Sequence, residues 1–233
     1  MHLWECREQS NVALTAGLQP LASLIEEALA RVDEAVVYFE KFQASAPAPA
    51  GLLCALVAIK ARNLALGCYS LALDGLAQES GALLRPLLEA IELLCYLRDV
   101  PGAVDNALEG KLPRAGIRAK RIGSAFQNLR EHLNTHASHL GFDSACMLHL
   151  VDMRSGRLRP VQHFSEAVLE QNMATLFAFT AMLAQQAAIS FRWCSQEAAP
   201  ISAESLVNKA MECIAAGEPI VHSVFAKRTA TER

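Results

Sequence analysis

The chain has 233 residues, enough for one large domain with a substantial core. Hydrophobic residues make up 52% of it and charged ones 19%, which excludes a disordered chain. The formal net charge of -3 excludes a global basic field that would draw the whole protein onto nucleic acid or an anionic membrane.

Taken in chain order, "MHLWECREQSNVALTAGLQP" (1–20) lacks the unbroken apolar run of a secretory signal, because Glu5, Arg7 and Glu8 interrupt it. It reads as an N-terminal segment. From Leu21 to about Phe42 the apolar residues recur at helical spacing, with Glu26, Glu27, Arg31, Asp33 and Glu34 on the outside. The prolines of "QASAPAPAG" (43–51) make a loop, and a second long helix follows to about Leu76. "ESGALLRPLLEAIELLCYLRDVPG" (79–102) is the most hydrophobic helix and ends at Pro101. A short helix and loop lead to Pro113, which opens a long helix predicted to run to about Leu140. The period then changes. "CMLHLVDMRSGRLRPVQHF" (146–164) holds two strand-like runs about a Ser155-Gly156 turn, a hairpin pattern. Ser165 caps a helix to about Ser195. After Pro200, a last helix from Ser202 or Ser205 runs to Ala216, followed by a polar tail. The fold expected is an all-α, antiparallel multi-helix bundle with a small inserted β-hairpin at about 146–163. The bundle domain spans 21–200, and 201–233 form a C-terminal helix and tail.

Two stretches, 51–77 and 173–193, approach a membrane span in length and apolarity. Lys60, Arg62, Asn63 and Asp74 break the first, and Gln185 and Gln186 mark the second. A spanning helix wants about 20 apolar residues with few charges, so both are expected to be buried helices of a soluble bundle, with no membrane. The seven cysteines include no C-x-x-C pair and most lie in apolar runs. That usage suits small buried hydrophobes in a reducing compartment, so the expected location is the cytoplasm.

Polar residues that could carry chemistry gather on two helices. In the most hydrophobic helix, Arg85, Glu89, Glu92 and Tyr96 line one stripe at i, i+4, i+7, i+11. Arg before Glu is the weaker i,i+4 orientation, so their partners are expected on another helix, as a buried ion pair or a ligand site. In the predicted helix after Pro113, Arg114, Arg118, Arg121, Asn128, His132, His136 and His139 project within about 40° of one line. They flank the apolar face, while Arg130 falls on its opposite border. The histidines allow three readings. They could be metal ligands with Glu89 or Glu92, a general acid/base beside an arginine, or a structural polar border. Arg114, Arg118 and Arg121 are the candidate phosphate contacts, as a basic segment with Lys111 and Lys120. No Gly-rich phosphate loop, nucleophile elbow or H-E-x-x-H occurs, so no cofactor and no metal is assigned.

The central "RPLLEAIELLCYL" helix, the later "NTHASH" motif, the hairpin and the following long helix together resemble a group of bacterial helical proteins. That group is related to the AbiV-type abortive-infection proteins and, distantly, to the HEPN superfamily. The resemblance covers about residues 50–195. It implies an arginine–glutamate pair at Arg85 and Glu89 and a histidine motif at Asn134, His136 and His139. The HEPN ribonuclease pattern of an arginine, four to six residues and a histidine falls on Arg130 and His136, with Glu131 where a small polar residue is usual. What it implies is a HEPN-like RNA-cleaving or RNA-binding defence protein, acting as a homodimer with His136 as base. Two alternatives stand beside it: a non-catalytic helical scaffold or small-ligand-binding regulator with a structural polar cluster, and a metal-binding bundle.

Overall fold

The computed structural model describes residues 4–136, 151–152, 155–158, 164–195 and 199–231. Its helices are α1 (Glu5–Thr15), α2 (Gln19–Ser45), α3 (Pro49–Leu73), α4 (Ala77–Asp99), α5 (Ala103–Leu108), α6 (Ala115–Arg121), α7 (Gln127–His136), α8 (Glu166–Ser195) and α9 (Pro200–Thr231). Between α7 and α8 lies one antiparallel hairpin of β1 (Val151–Asp152) and β2 (Arg157–Leu158), in the register Val151↔Leu158 and Asp152↔Arg157. Its turn passes through Gly156 at φ 67, a left-handed conformation that glycine adopts without strain. The molecule is an all-α bundle with a small inserted hairpin.

The bundle is organised around α8, which packs against α2, α3, α4 and α9. Neighbours on so many sides explain why its apolar residues run almost all the way round. Phe191, buried there, meets Phe39 of α2 edge-on with ring centroids 5.4 Å apart. On the other side α9 approaches closely enough that a Cβ built on Gly217 would lie 2.0 Å from Cε1 of Phe177.

Helix α3 is built the other way round. Cys54, Ala55, Ala58, Ala61, Ala65 and Cys68 face the bundle, while Leu52, Leu56, Ile59 and Leu66 are exposed. Small side chains let α3 seat closely on its neighbours, and the large aliphatic ones are left outside. So α8 is buried as expected, but α3 covers only one face. By length and composition alone, both are apolar enough to cross a membrane.

Three boundaries differ from the expected ones. Residues 1–20 contain α1, tied to the end of α3 by Arg7. Its Nε and Nη2 donate to Asp74 Oδ1 and Oδ2 at 2.7 and 2.6 Å, and Nη2 also reaches the Ser70 carbonyl at 2.9 Å. The guanidinium thereby adds a second donor to the Ser70 carbonyl, which also accepts from the Asp74 amide, and sets positive charge at the C-terminal end of α3. Helix α9 runs past Ala216 and through Pro219 to Thr231. Ile220, Val221 and Val224 continue the apolar spacing against the core beneath a polar exterior. The third difference matters most for the site. The helix expected from Pro113 to about Leu140 is broken into α6 and α7, because Gly123 sits at φ 62, where a right-handed helix cannot continue.

Candidate functional site around Glu92

Glu92 lies on the stripe of α4 that faces α6 and α7, and its side chain is only 4% exposed. A carboxylate so far from water needs a partner. Arg130 of α7, itself only 12% exposed, supplies it through an Nη2–Oε1 ion pair. Ser124 adds a second bond, its hydroxyl donating to the same Oε1 at 2.5 Å. The Phe126 amide in turn donates to Ser124 Oγ at 3.2 Å, fixing the link that follows Gly123. One turn along α4, the fully buried Tyr96 accepts a hydrogen bond on its phenolic oxygen from Arg121 Nη1 at 3.1 Å. Oε2 of Glu92 is buried with no hydrogen-bond partner among the described residues, as is Nε of Arg130.

Beside Glu92, α4, the α6–α7 link and α8 line a half-open cavity of about 250 Å³. Ile91, Ile122, Phe126 and Met182 give it apolar walls, and Glu92, Ser124, Gln185 and Gln186 give it polar ones. Gln186 Oε1 already accepts from Arg98 Nη1 at 3.0 Å and from the Cys95 thiol at 3.2 Å. Burial pushes the Cys95 thiol up from its ordinary value, with the charge of Arg98 opposing. On the other side of Arg130, an open groove of about 800 Å³ runs along α6 to α7, lined by Arg114, Lys120, Gln127 and Arg130 among others.

No family model, curated protein or solved structure matches this chain.

The polar stripe of α4 and the helices after Pro113 do come together, but through different residues from those expected. Arg85 pairs within its own helix, Nε to Glu89 Oε1 at 3.1 Å, and the two side chains are 32% and 25% exposed. The deep charge is Glu92 instead, one turn further along, and the partner on another helix is Arg130. Because the turn at Gly123 resets the helical phase, a single projection across α6 and α7 does not hold. Arg130, placed by it on the border away from the histidines, faces α4. Among the phosphate candidates, Arg114 is exposed. Arg118 is half-buried, and its Nη1 donates to the Pro113 carbonyl at 2.7 Å. Arg121 is committed to Tyr96. His132 is exposed on α7, and Asn134 Oδ1 is buried with no hydrogen-bond partner among the described residues. His139 and the side chain of His136 lie outside the described residues. Among those described, no three His, Cys, Asp or Glu side chains converge as a metal-binding set.

Ser124, Cys95, Gln185 and Gln186 were not among the site residues expected from the sequence. Gln185 and Gln186 were visible as amides interrupting an apolar helix, a signal of a polar contact inside the bundle. Ser124 carried no pattern of its own, since its role depends on the turn that Gly123 makes.

Proposed function

We propose that this chain is a non-catalytic helical protein that holds a small ligand in the cavity beside Glu92 and acts as a ligand-responsive regulator. The observation that carries this reading is the cavity itself, about 250 Å³ with apolar walls and a few polar groups, set beside the buried Glu92–Arg130 pair. Arg130, the arginine that a HEPN-type cleavage would place on phosphate, is held by Glu92. A second reading, HEPN-like RNA binding, is favoured by the groove that carries Arg114 and Lys120. RNA there would meet exposed cations, and two paired copies would join two such grooves.

The test sets both readings side by side. The protein is melted with a set of small amphipathic compounds, and incubated with single-stranded and structured RNA at low salt with EDTA present. Upward shifts with small compounds and no RNA turnover are expected. RNA cleavage that disappears in His136→Ala overturns the non-catalytic reading. RNA retention that weakens with salt and with Lys120→Glu moves the function to the groove.

A further inference from the structure

We infer that Cys54 of α3 and Cys194 of α8 form a reversible redox site, a dithiol that a hydroperoxide closes into a disulfide between the two helices. The geometry begins on α8, where Gln186, Ser190 and Cys194 follow one another at i, i+4 and i+8 on one stripe. Gln186 meets Arg98 and Cys95 of α4. Further along the stripe, Ser190 and Cys194 both lie within hydrogen-bonding reach of the Cys54 sulfur, and Arg98 is close enough to act on it by charge. Cys54 is fully buried, whereas Cys194 is partly open to solvent. Ser190 marks the site independently. Its hydroxyl is buried with no hydrogen-bond partner among the described residues. Thr175 and Thr180 of the same helix, by contrast, donate to carbonyls one turn back at 2.9 and 2.8 Å. A neutral thiol is a weak acceptor, so the Ser190 hydroxyl gains a full partner only when Cys54 carries charge.

Elsewhere among the described residues the thiols are held protonated. Burial pushes Cys68 up to about 12 and Cys213 up to about 11, and raises Cys6 and Cys95 as well. At Cys54 the balance is reversed: the Cys194 thiol beside its sulfur holds it below its ordinary value, burial opposes, and Arg98 and Ser190 assist. Cys194, as the donor, is raised. Once the pair has lost one proton, it holds the other between two sulfurs. With that proton on Cys54, the Cys194 thiolate attacks a hydroperoxide. The S–O bond forms as the O–O bond breaks, and the departing alkoxide or hydroxide takes from water the proton that the pair had lost. Cys54 then attacks the sulfenic sulfur. The S–S bond forms as the S–O bond breaks, and the hydroxide released leaves as water with the Cys54 proton. Two electrons have passed from the two sulfurs to the peroxide. Cys54 needs no opening of its own, because its target is the sulfur it already faces, and a small thiol reverses the bond by exchange at Cys194.

The test treats the full reduced chain with hydrogen peroxide, blocks remaining thiols with iodoacetamide in denaturant, and reads each cysteine by peptide mass spectrometry. One dominant cross-link, Cys54 to Cys194, is expected, formed several-fold faster than Cys95 is oxidised and reversed by dithiothreitol. The oxidised chain is expected to melt at a higher temperature, since the bond closes a long loop. Cys54→Ser is expected to leave Cys194 as a sulfenic acid that dimedone labels. Ser190→Ala is expected to slow cross-linking several-fold without lowering the melting temperature of the reduced chain, because its hydroxyl has no partner there to lose. If Cys54→Ser does not fold, the wild-type cross-link decides alone. Oxidation of Cys194 to sulfinic acid while Cys54 stays free overturns the dithiol. Peroxide that oxidises Cys95 and leaves both Cys54 and Cys194 reduced overturns the redox site altogether.

Discussion

Arg130→Ala removes the cation that faces Glu92 and leaves a carboxylate whose side chain is 4% exposed. The Ser124 hydroxyl still donates to it, but a neutral donor does not replace a guanidinium. Breaking a buried pair from one side costs about 3–5 kcal/mol, because the remaining charge is uncompensated. For a chain of this size each kcal/mol moves the melting temperature by about 2–4 °C, so the midpoint is expected to fall by about 6–20 °C. Replacing both partners with apolar residues of similar shape, Glu92→Leu with Arg130→Met, is expected to recover most of that loss, since no buried charge remains. Urea unfolding of the wild type, Glu92→Leu, Arg130→Met and the double variant closes the cycle. An Arg130→Ala midpoint within about 1 kcal/mol of wild type, or two single losses that simply add in the double variant, would refute the claim that the pair is buried and coupled.

Arg85→Ala is expected to cost no more than about 1 kcal/mol in the same unfolding assay, because both Arg85 and Glu89 are partly in water. Gly217→Ala is expected to lose about 1–3 kcal/mol, since the added methyl must displace the Phe177 ring, and Gly217→Ala with Phe177→Leu should regain part of it. Gly123→Ala meets open space but holds alanine at φ 62, a strain of about 1–2 kcal/mol visible in the urea midpoint. Alkaline pH is a further lever. Burial pushes the Cys68 thiol from its ordinary 9.0 up to about 12, so the folded chain keeps a proton that the unfolded chain releases. Stability from this group is therefore intact below pH 9 and falls as pH rises from 9 towards 12, at up to about 1.4 kcal/mol per pH unit. Cys68→Ala should flatten that limb of the pH–stability curve.

The elements that could be read from sequence were those whose packing is periodic. Helices α2, α4 and α8 bury apolar residues at helical spacing, and punctuation at Pro49 and Ser155-Gly156 set limits on their neighbours. The polar stripe of α4 was also legible, since charges inside so apolar a segment demand partners. Which charge goes deep was not. Arg85, Glu89 and Glu92 share one face, and only the placement of α6 and α7 decides that Glu92 is covered. That placement depends on Gly123, whose left-handed turn rotates α7 away from the phase of α6 and brings Arg130 over α4. A glycine within a helical pattern looks the same in sequence whether it is tolerated or ends the helix. The helical course of α9 beyond Ala216 was hidden because its exposed residues, Glu218 and His222 among them, outweigh the buried Val224 in composition.

The break at Gly123 also sets how this part of the molecule opens. Helices α6 and α7 have 7 and 10 residues, below the roughly 12–15 at which an isolated helix begins to hold in water. They keep their form because Glu92 and Tyr96 tether them to α4, with Leu133 buried and Ile122, Phe126 and Leu129 packed against the core. Two short helices attached to the bundle along one side detach more readily than the bundle unfolds. Backbone amides over 115–136 should thus exchange with deuterium far sooner than those in the middle of α8, which are released only when the whole fold is lost. Because Ile122, Ser124 and Phe126 form one wall of the cavity, an occupant would pin this unit shut. Slowed exchange over 115–136 alone would then report its arrival.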